Sequence, residues 1–398
     1  MDLDNLQNIQ DIEVGGKRVL VRADLNVPLK DGKVSDVTRL TRFLPGLKAL
    51  CECGAKVVVL SHFGRPKGQR QTEMSLEPVA AELARLSGLP VQFAADCVGP
   101  AAVQAVAGLE NGAILVLENL RFHSGEEGNE PAFVSSLAEL GDVYVNDAFS
   151  AAHRAHASTE GLAHRLPKYA GPLMMEEINA LRAALDNPER PTAAVVGGAK
   201  VSSKIPVLTN MVSKVDNLII GGGMANTFLL AQGISVGASL AEPDQKDTAL
   251  EILANAAAAG CKIVLPVDGV VAEKFEAGVA YREVSIDDVG KAEMILDVGP
   301  QSISQMTELL RQCRTLLWNG PLGAFEIPPF GRGTFELAKA AADLTKAGEI
   351  STIAGGGDTV AALNDAGVAD DFTYVSTAGG AFLEWLEGRE LPGVVALA

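Results

Sequence analysis

Short β-branched and aliphatic runs alternate with stretches whose apolar residues fall at helical spacing, and this alternation recurs along the chain. In the first half, strand-like runs at 18–22, 56–60, 113–117 and 142–145 are separated by helix-like stretches at 36–53, 75–86, 100–107 and 131–140. A chain that returns through a helix after each strand cannot build its sheet from hairpins, so the pattern predicts a parallel sheet covered by helices. Ser75 before Leu76 reads as a helix N-cap and Gly88 as the stop of that helix. Pro45 lacks an amide proton and is expected to kink or divide the first helix.

Met174, Ile178, Leu181 and Leu185 lie on one helical face, between Gly171-Pro172 and the punctuated stretch Asp186-Asn187-Pro188-Glu189-Arg190-Pro191. That punctuation marks a domain boundary. Beyond it the rhythm resumes, with strands expected at 192–196, 217–220, 262–265, 315–318, 351–354 and 374–376. A length of 398 residues suits two domains of this kind, and the apolar fraction of 47% can fill two cores.

A net charge of −17 makes the chain repel nucleic acid and anionic membrane, so neither is expected as a partner. An anionic small substrate would need cations concentrated locally. All five histidines and 12 of the 17 arginines precede Pro191. The second half instead carries Gly197-Gly198-Ala199-Lys200, Gly221-Gly222-Gly223, Asn319-Gly320-Pro321, Gly355-Gly356-Gly357-Asp358 and Gly379-Gly380. The five cysteines are odd in number and lack paired spacing for zinc, so reduced thiols are expected. Residues 1–12 show no basic stretch leading into an apolar run, and no uncharged apolar run is long enough to span a bilayer; a cytoplasmic location is the expectation.

Ligands of open parallel sheets bind beyond the carboxyl ends of the strands, and the polar residues cluster there. The first strand exits into Asp24 and Asn26, the second into His62 and Arg65, the third into Arg121, and the fourth runs on to His153 and Arg154. Arg39, Arg65, Arg121 and Arg154 offer planar donors for carboxylate or phosphate, and Asp24 and Asn26 can fix a hydroxyl. Taken singly, such an arginine is ordinarily a surface ion-pair residue and such an Asp or Asn a turn residue. The second-half glycine runs follow strands, where backbone N–H groups at a helix start can meet phosphate. Lys200 and Lys204 would share a face if their segment is helical, and Asp358 can serve a magnesium ion. The P-loop and the G-x-G-x-x-G dinucleotide fingerprint are both missing from the sequence. The residues alone lead to a two-domain α/β protein that binds a nucleotide-like phosphate and a small anion.

The exact strings resemble phosphoglycerate kinase. They are Arg22-Ala23-Asp24-Leu25-Asn26-Val27-Pro28, SHFGRP at 61–66, ENLRF at 118–122, VNDAFS at 145–150 with HRAH at 153–156, GGAKVSSK at 197–204, GGGM at 221–224, WNGP at 318–321, IAGGGDT at 353–359 and the late Leu391-Pro392-Gly393. The resemblance implies two Rossmann-like α/β domains with helix-covered parallel sheets, joined by a hinge helix. Residues 1–170 with about 380–398 would form the phosphoglycerate-binding domain, 171–190 the hinge, and 191–379 the nucleotide-binding domain. It implies reversible, Mg²⁺-dependent phosphoryl transfer between ATP and the carboxylate of 3-phosphoglycerate, giving ADP and 1,3-bisphosphoglycerate, by a monomer. Carried onto matching positions, Asp24, Asn26, Arg39, His62, Arg65, Arg121 and Arg154 would bind phosphoglycerate. Lys200, Lys204, Asn319, Glu326, Gly355, Gly356, Gly357, Asp358 and Thr359 would serve the nucleotide, with Asp358 at the metal. Arg39, Lys200 and the helix-terminal N–H groups at Gly357 and Gly380 are the expected catalytic groups, acting on charge that moves as hinge closure excludes water.

One position departs from the pattern. Ala378 stands where the family has the first of three glycines, and tolerance is expected if the backbone there has ordinary φ. The competing functional classes are an NAD-dependent dehydrogenase, weakened by the missing fingerprint, and a non-enzymatic two-lobed anion-binding protein.

Overall fold

A computed structural model describes residue 3 and residues 5–398, and the chain divides into two compact units. One comprises the residues up to Ile178 together with Glu390–Ala398, and the other is Asn179–Arg389. The helix Pro172–Leu185 carries the division.

The first unit contains β1 (Arg18–Ala23), a small hairpin of β2 (Leu29–Lys30) and β3 (Lys33–Val34), then β4 (Lys56–Leu60), β5 (Val91–Ala94), β6 (Ile114–Leu117), β7 (Val143–Asp147) and β8 (Lys168–Ala170). Six of these form one sheet in the order β5-β6-β4-β1-β7-β8, every pair parallel. Val19, Val21, Val57, Val59, Ile114 and Val116 alternate onto one face of it and pack with Leu40, Phe43, Leu47, Val79 and Leu83 from the helices Thr38–Glu52 and Glu77–Ser87. Each fully buried leucine or valine there contributes roughly 1.5–3 kcal/mol over an exposed one.

The structure corrects two local expectations. Pro45 sits inside a continuous helix, Thr38–Glu52, which is neither interrupted nor divided. The proline removes one backbone bond, but the buried stripe of Leu40, Phe43, Leu47 and Leu50 holds the turns on both sides against the sheet. The helix after Ser75 starts at Glu77 with Leu76 as its capping residue, although Ser75 Oγ still accepts the Glu77 N–H at 3.2 Å. Gly88 ends that helix in the left-handed region, as the sequence predicts. β5 and β8 were not expected; both are short edge strands with few buried residues, so they carry little apolar periodicity. The late chain segment belongs to this unit: Gly393 N–H donates to Ala152 O at 2.8 Å, and Asn146 Nδ2 donates to Gly393 O at 3.3 Å.

The second unit contains β9 (Thr192–Val196), β10 (Asn217–Ile220), β11 (Lys262–Val264), β12 (Asp268–Ala272), β13 (Arg282–Ser285), β14 (Met294–Val298), β15 (Thr315–Asn319), β16 (Ser351–Gly355) and β17 (Tyr374–Ser376). Six of them form a second parallel sheet, β11-β10-β9-β15-β16-β17, packed around Val195, Ile219, Leu316, Trp318, Leu337 and Ala341. β13-β12-β14 form a separate antiparallel sheet that the alternation did not announce. β13 is mostly exposed and polar, and so lacks a strand's apolar signal.

Asp147, at the carboxyl end of β7, is buried and accepts the N–H groups of Leu173 at 2.7 Å and Met174 at 3.1 Å, capping the helix Pro172–Leu185. A Cβ at Gly171 would lie 2.3 Å from its Oδ1, so the close approach requires glycine. Burial, opposed by those two donors, pushes the carboxyl up to about 6. The folded protein therefore holds this proton more tightly than the unfolded chain, whose Asp titrates near about 3.9. Stability from this site is full below about pH 4 and is lost as pH rises to about 6. Urea titrations across that window should show a falling contribution that Asp147→Asn removes; an unchanged slope in the variant would refute the assignment.

Candidate functional site

In the first unit the carboxyl ends of β1, β4, β6 and β7 lie along one sheet edge, because all four are parallel. Asp24, just past β1, accepts from Ser150 Oγ at 2.5 Å and pairs with Arg39 Nη1 at 2.9 Å. The same Nη1 donates to Asn26 O at 2.8 Å, and Asn26 Oδ1 accepts the Gly64 N–H at 3.0 Å. Asp24, Asn26, Arg39 and the loop after β4 are therefore tied together.

Arg121 is 4% exposed and donates to Gly64 O at 2.8 Å. Its Nε lies 3.4 Å from Glu127 Oε1 without hydrogen-bond geometry. Burial, aided by the neighbouring Arg154 and opposed by Glu127, lowers this guanidinium to about 10. Arg154 Nε lies 3.2 Å from His153 Nε2, and Arg65 is exposed on the loop after β4. His62 is buried, and its imidazole is held well below the usual range by burial and then by Arg22, Arg121, Arg154 and Arg39. His156 falls to about 4 for the same reasons, burial first and then Arg121, Arg154 and Arg22. Both rings are neutral near pH 7, so the positive charge of this edge belongs to guanidiniums. Such a cluster in a chain of net charge −17 is suited to an anion.

In the second unit the carboxyl ends of β9, β10, β15, β16 and β17 run into the glycine-rich turns. Two turns meet backbone to backbone: a Cβ at Gly197 would lie 1.9 Å from Pro321 O, and one at Gly320 would lie 2.2 Å from Gly197 O. Buried Asn319 donates to Gly355 O at 2.7 Å and accepts from Lys204 Nζ, while Thr359 Oγ1 takes the Gly320 N–H at 2.7 Å. Gly356, at φ 100°, leads into the helix Gly357–Asp365, whose first residues Gly357 and Asp358 are exposed. A cavity of about 580 Å³ opens beside these turns, lined by Gly198, Gly222, Leu240, Leu322, Glu326 and Asp358 among others. Its mixture of apolar wall, glycine backbone and carboxylate suits a nucleoside polyphosphate.

The expectation for 200–204 needs correction. This stretch is a turn, and the helix begins at Ile205 with Lys204 as its capping residue, because the Val201–Lys204 bond closes a turn first. Lys200 and Lys204 thus do not share a helical face: Lys200 is exposed, whereas Lys204 is half-buried at Asn319. Burial, opposed by Asp358, lowers the Lys204 ammonium to about 8. Gly380 begins the helix Gly380–Leu386. Ala378 is absent from the positive-φ residues, and its N–H donates to Ser376 Oγ at 3.1 Å. The condition set for tolerance at this position is met.

Sequence reasoning missed Leu240 and Phe275 at the cavity, the latter 55% exposed, because both precede or interrupt the unrecognised antiparallel sheet. It also missed Arg22, Glu126 and Ser158 beneath the arginine-rich edge; only the basic residue inside an apolar strand, Arg22, carried a signal. The adjacent Asp96 and Cys97 come together with His123 from a second segment, with Asp96 Oδ1 and His123 Nε2 joined at 2.7 Å. All five cysteines are free thiols, and only Cys53 is exposed. Among the described residues, no helix is long and apolar enough to cross a membrane.

The sequence pattern that defines phosphoglycerate kinase matches residues 9–389. The phosphoglycerate kinase of Zymomonas mobilis is 61% identical over 385 residues, covering 97% of each chain. Among solved structures, phosphoglycerate kinase from Coxiella burnetii is similar at 43% identity with a TM-score of 0.92, over 98% of each chain. That from Pyrococcus horikoshii is similar at 32% identity with a TM-score of 0.81, again over 98% of each.

Lys204 yields a pH prediction. Below about pH 8 its ammonium is charged and can meet a polyphosphate; above it the charge is lost. Calorimetric affinity for ADP should weaken as pH rises through about 8, and Lys204→Met should flatten that dependence while weakening binding at neutral pH. Parallel curves for the two proteins would exclude the role. For Ala378→Gly, turnover should stay unchanged and stability fall by about 0.4–1 kcal/mol, read from denaturant midpoints, since glycine only adds freedom to the unfolded chain.

Proposed function

Because this chain belongs to the phosphoglycerate kinase family, we propose that the guanidinium-lined edge of its first unit binds 3-phosphoglycerate and the glycine-lined edge of its second binds ATP or ADP. The activity is that of a phosphoglycerate kinase, a phosphotransferase with a carboxyl acceptor. The observation that carries the assignment of the acceptor edge is the gathering of Arg22, Arg39, Arg121 and Arg154 around the neutral His62 in a strongly acidic chain.

The acceptor carboxylate is already an anionic nucleophile. One of its oxygens forms a bond to the γ-phosphorus as the bond from that phosphorus to the β,γ-bridging oxygen breaks. ADP departs with that electron pair, and no proton needs to move. Catalysis then rests on alignment and on compensation of charge. Arg39, Arg65, Arg121 and Arg154 would hold the acceptor's phosphate and carboxylate, Asp24 and Asn26 its hydroxyl, and His62 would add a neutral donor. Lys204 and Asn319, which touch each other, would bear on the phosphates, joined by Lys200 and the N–H groups at Gly355–Gly357 and Gly380. Glu326 would face the ribose, and Thr359 would support the site through Gly320. Asp358, a carboxylate exposed beside the cavity, fits the oxygen-only preference of Mg²⁺ and would hold it. When bound, the ion neutralises phosphate charge.

In-line transfer between ligands on different units calls for a closing motion at the helix Pro172–Leu185, which would also exclude water. We read the enzyme as a cytoplasmic monomer; its free thiols support the compartment, and its net charge of −17, which makes copies of the chain repel one another, supports the monomer.

Purified protein supplied with ATP, Mg²⁺ and 3-phosphoglycerate should yield an acyl phosphate that hydroxylamine traps. Folded protein that binds ATP without forming it would defeat the reading. Arg39→Ala should lower kcat by about 100-fold or more while leaving the KM for ATP nearly unchanged.

A further inference from the structure

Beneath the acceptor edge lies a chain of buried polar groups that touches no ligand position assigned above except His62. Arg22 is 1% exposed, and each arm of its guanidinium is engaged: Nη1 donates to Ala23 O at 2.6 Å, Nε to Ser158 Oγ at 2.8 Å, and Nη2 meets His62 Nδ1 at 3.0 Å. A guanidinium has donors only. Nδ1 must therefore be the acceptor, and the single ring proton of neutral His62 must sit on Nε2.

The other end of the chain is equally directional. Ser158 Oγ already accepts from Arg22, so its own proton goes to Glu126 Oε1 at 2.6 Å. The Ser158 N–H donates to Glu126 Oε2 at 3.1 Å, so both carboxylate oxygens act as acceptors. Tyr144, from β7, donates its hydroxyl to Ser158 O at 2.7 Å and pins the residue from a third side. Glu126, Ser158 and Tyr144 are all 0% exposed, so none can contact a dissolved anion directly.

We propose that Glu126, Ser158 and Arg22 are positioning residues that hold His62 as its Nε2–H tautomer, so that the ring presents a neutral donor, never a lone pair, to the bound acceptor. The inference rests on the reading of this edge as the 3-phosphoglycerate site. The opposite tautomer would point a lone pair at an anion and a proton at Arg22, costing contacts on both sides. A histidine in this arrangement also keeps the site's hydrogen bonding constant with pH, leaving charge recognition to the arginines.

Long-range ¹H–¹⁵N spectra of the uniformly labelled full chain read the tautomer directly, with the His62 resonance assigned by its loss in His62→Gln. Wild-type His62 should show an unprotonated Nδ1 and a protonated Nε2 from mildly acidic to mildly alkaline pH. Ser158→Ala should mix the tautomers and raise the KM for 3-phosphoglycerate by about threefold to tenfold, the worth of one hydrogen bond, with the KM for ATP unchanged. Glu126→Gln, which keeps one acceptor for Ser158, should fall between. A proton on Nδ1 of the wild-type ring, or titration of that ring near neutrality, overturns the proposal whether or not the variants fold. An unchanged tautomer in folded Ser158→Ala overturns it as well. If the wild-type tautomer is as stated but 3-phosphoglycerate does not bind, the positioning chain stands and the substrate assignment alone fails.

Discussion

Parallel strand pairing is the constraint from which the sites follow. A parallel strand must be reached by a crossover, so every carboxyl end in a sheet arrives at the same edge. In the first unit this collects Asp24, His62 and Arg121 from positions spread over about a hundred residues, without any local motif joining them. In the second it brings the turns after β9, β15 and β16 into atomic contact, where Gly197 and Gly320 approach too closely for side chains. The helices serve this geometry by covering the faces and leaving the edge open.

The two edges meet anions by different means. The first concentrates guanidiniums in a desolvated setting: burial first, and then the neighbouring arginines, keep His62 and His156 neutral and depress Arg121 itself. The second relies on backbone, with one half-buried lysine held by Asn319, its charge favoured by Asp358. A planar, fixed guanidinium suits a small acid that must be oriented, whereas N–H groups at helix starts follow a flexible polyphosphate. Buried polar groups support both, Arg22 with Ser158 and Glu126 in the first unit and Asn319 with Thr359 in the second.

How much could be read in advance depended on burial. β4, β9, β10 and β17 coincide with the expected runs, β1 and β16 extend by one residue to Ala23 and Gly355, and β7 and β15 extend into the polar Asn146, Asp147 and Asn319. Edge strands β5 and β8 escaped notice because solvent on one side relaxes the pattern, and β12–β14 did so because an inserted antiparallel sheet breaks the βα rhythm. Pro45 does not divide its helix, because the buried stripe on either side of it outweighs the one backbone bond it removes. Lys200 and Lys204 misled because spacing has meaning only once the segment is known to be helical. Asp24, His62, Arg121, Lys204 and Asp358 were all legible as candidates, since each is a polar residue close after an apolar run or a glycine turn.

By itself the sequence determined that the chain forms two parallel α/β units, that cations gather in one and glycine turns in the other, and which family it belongs to. Those properties are written in periodicity, composition and exact strings, all of them local. Only tertiary structure decided that Arg22 faces His62 and Ser158, that Asp147 caps a helix beginning at Pro172, and that Asn319 joins Lys204 to Gly355. Each of these joins residues distant in the chain through directional bonds in a desolvated setting. Their partners are set by strand order and register, which no local pattern encodes.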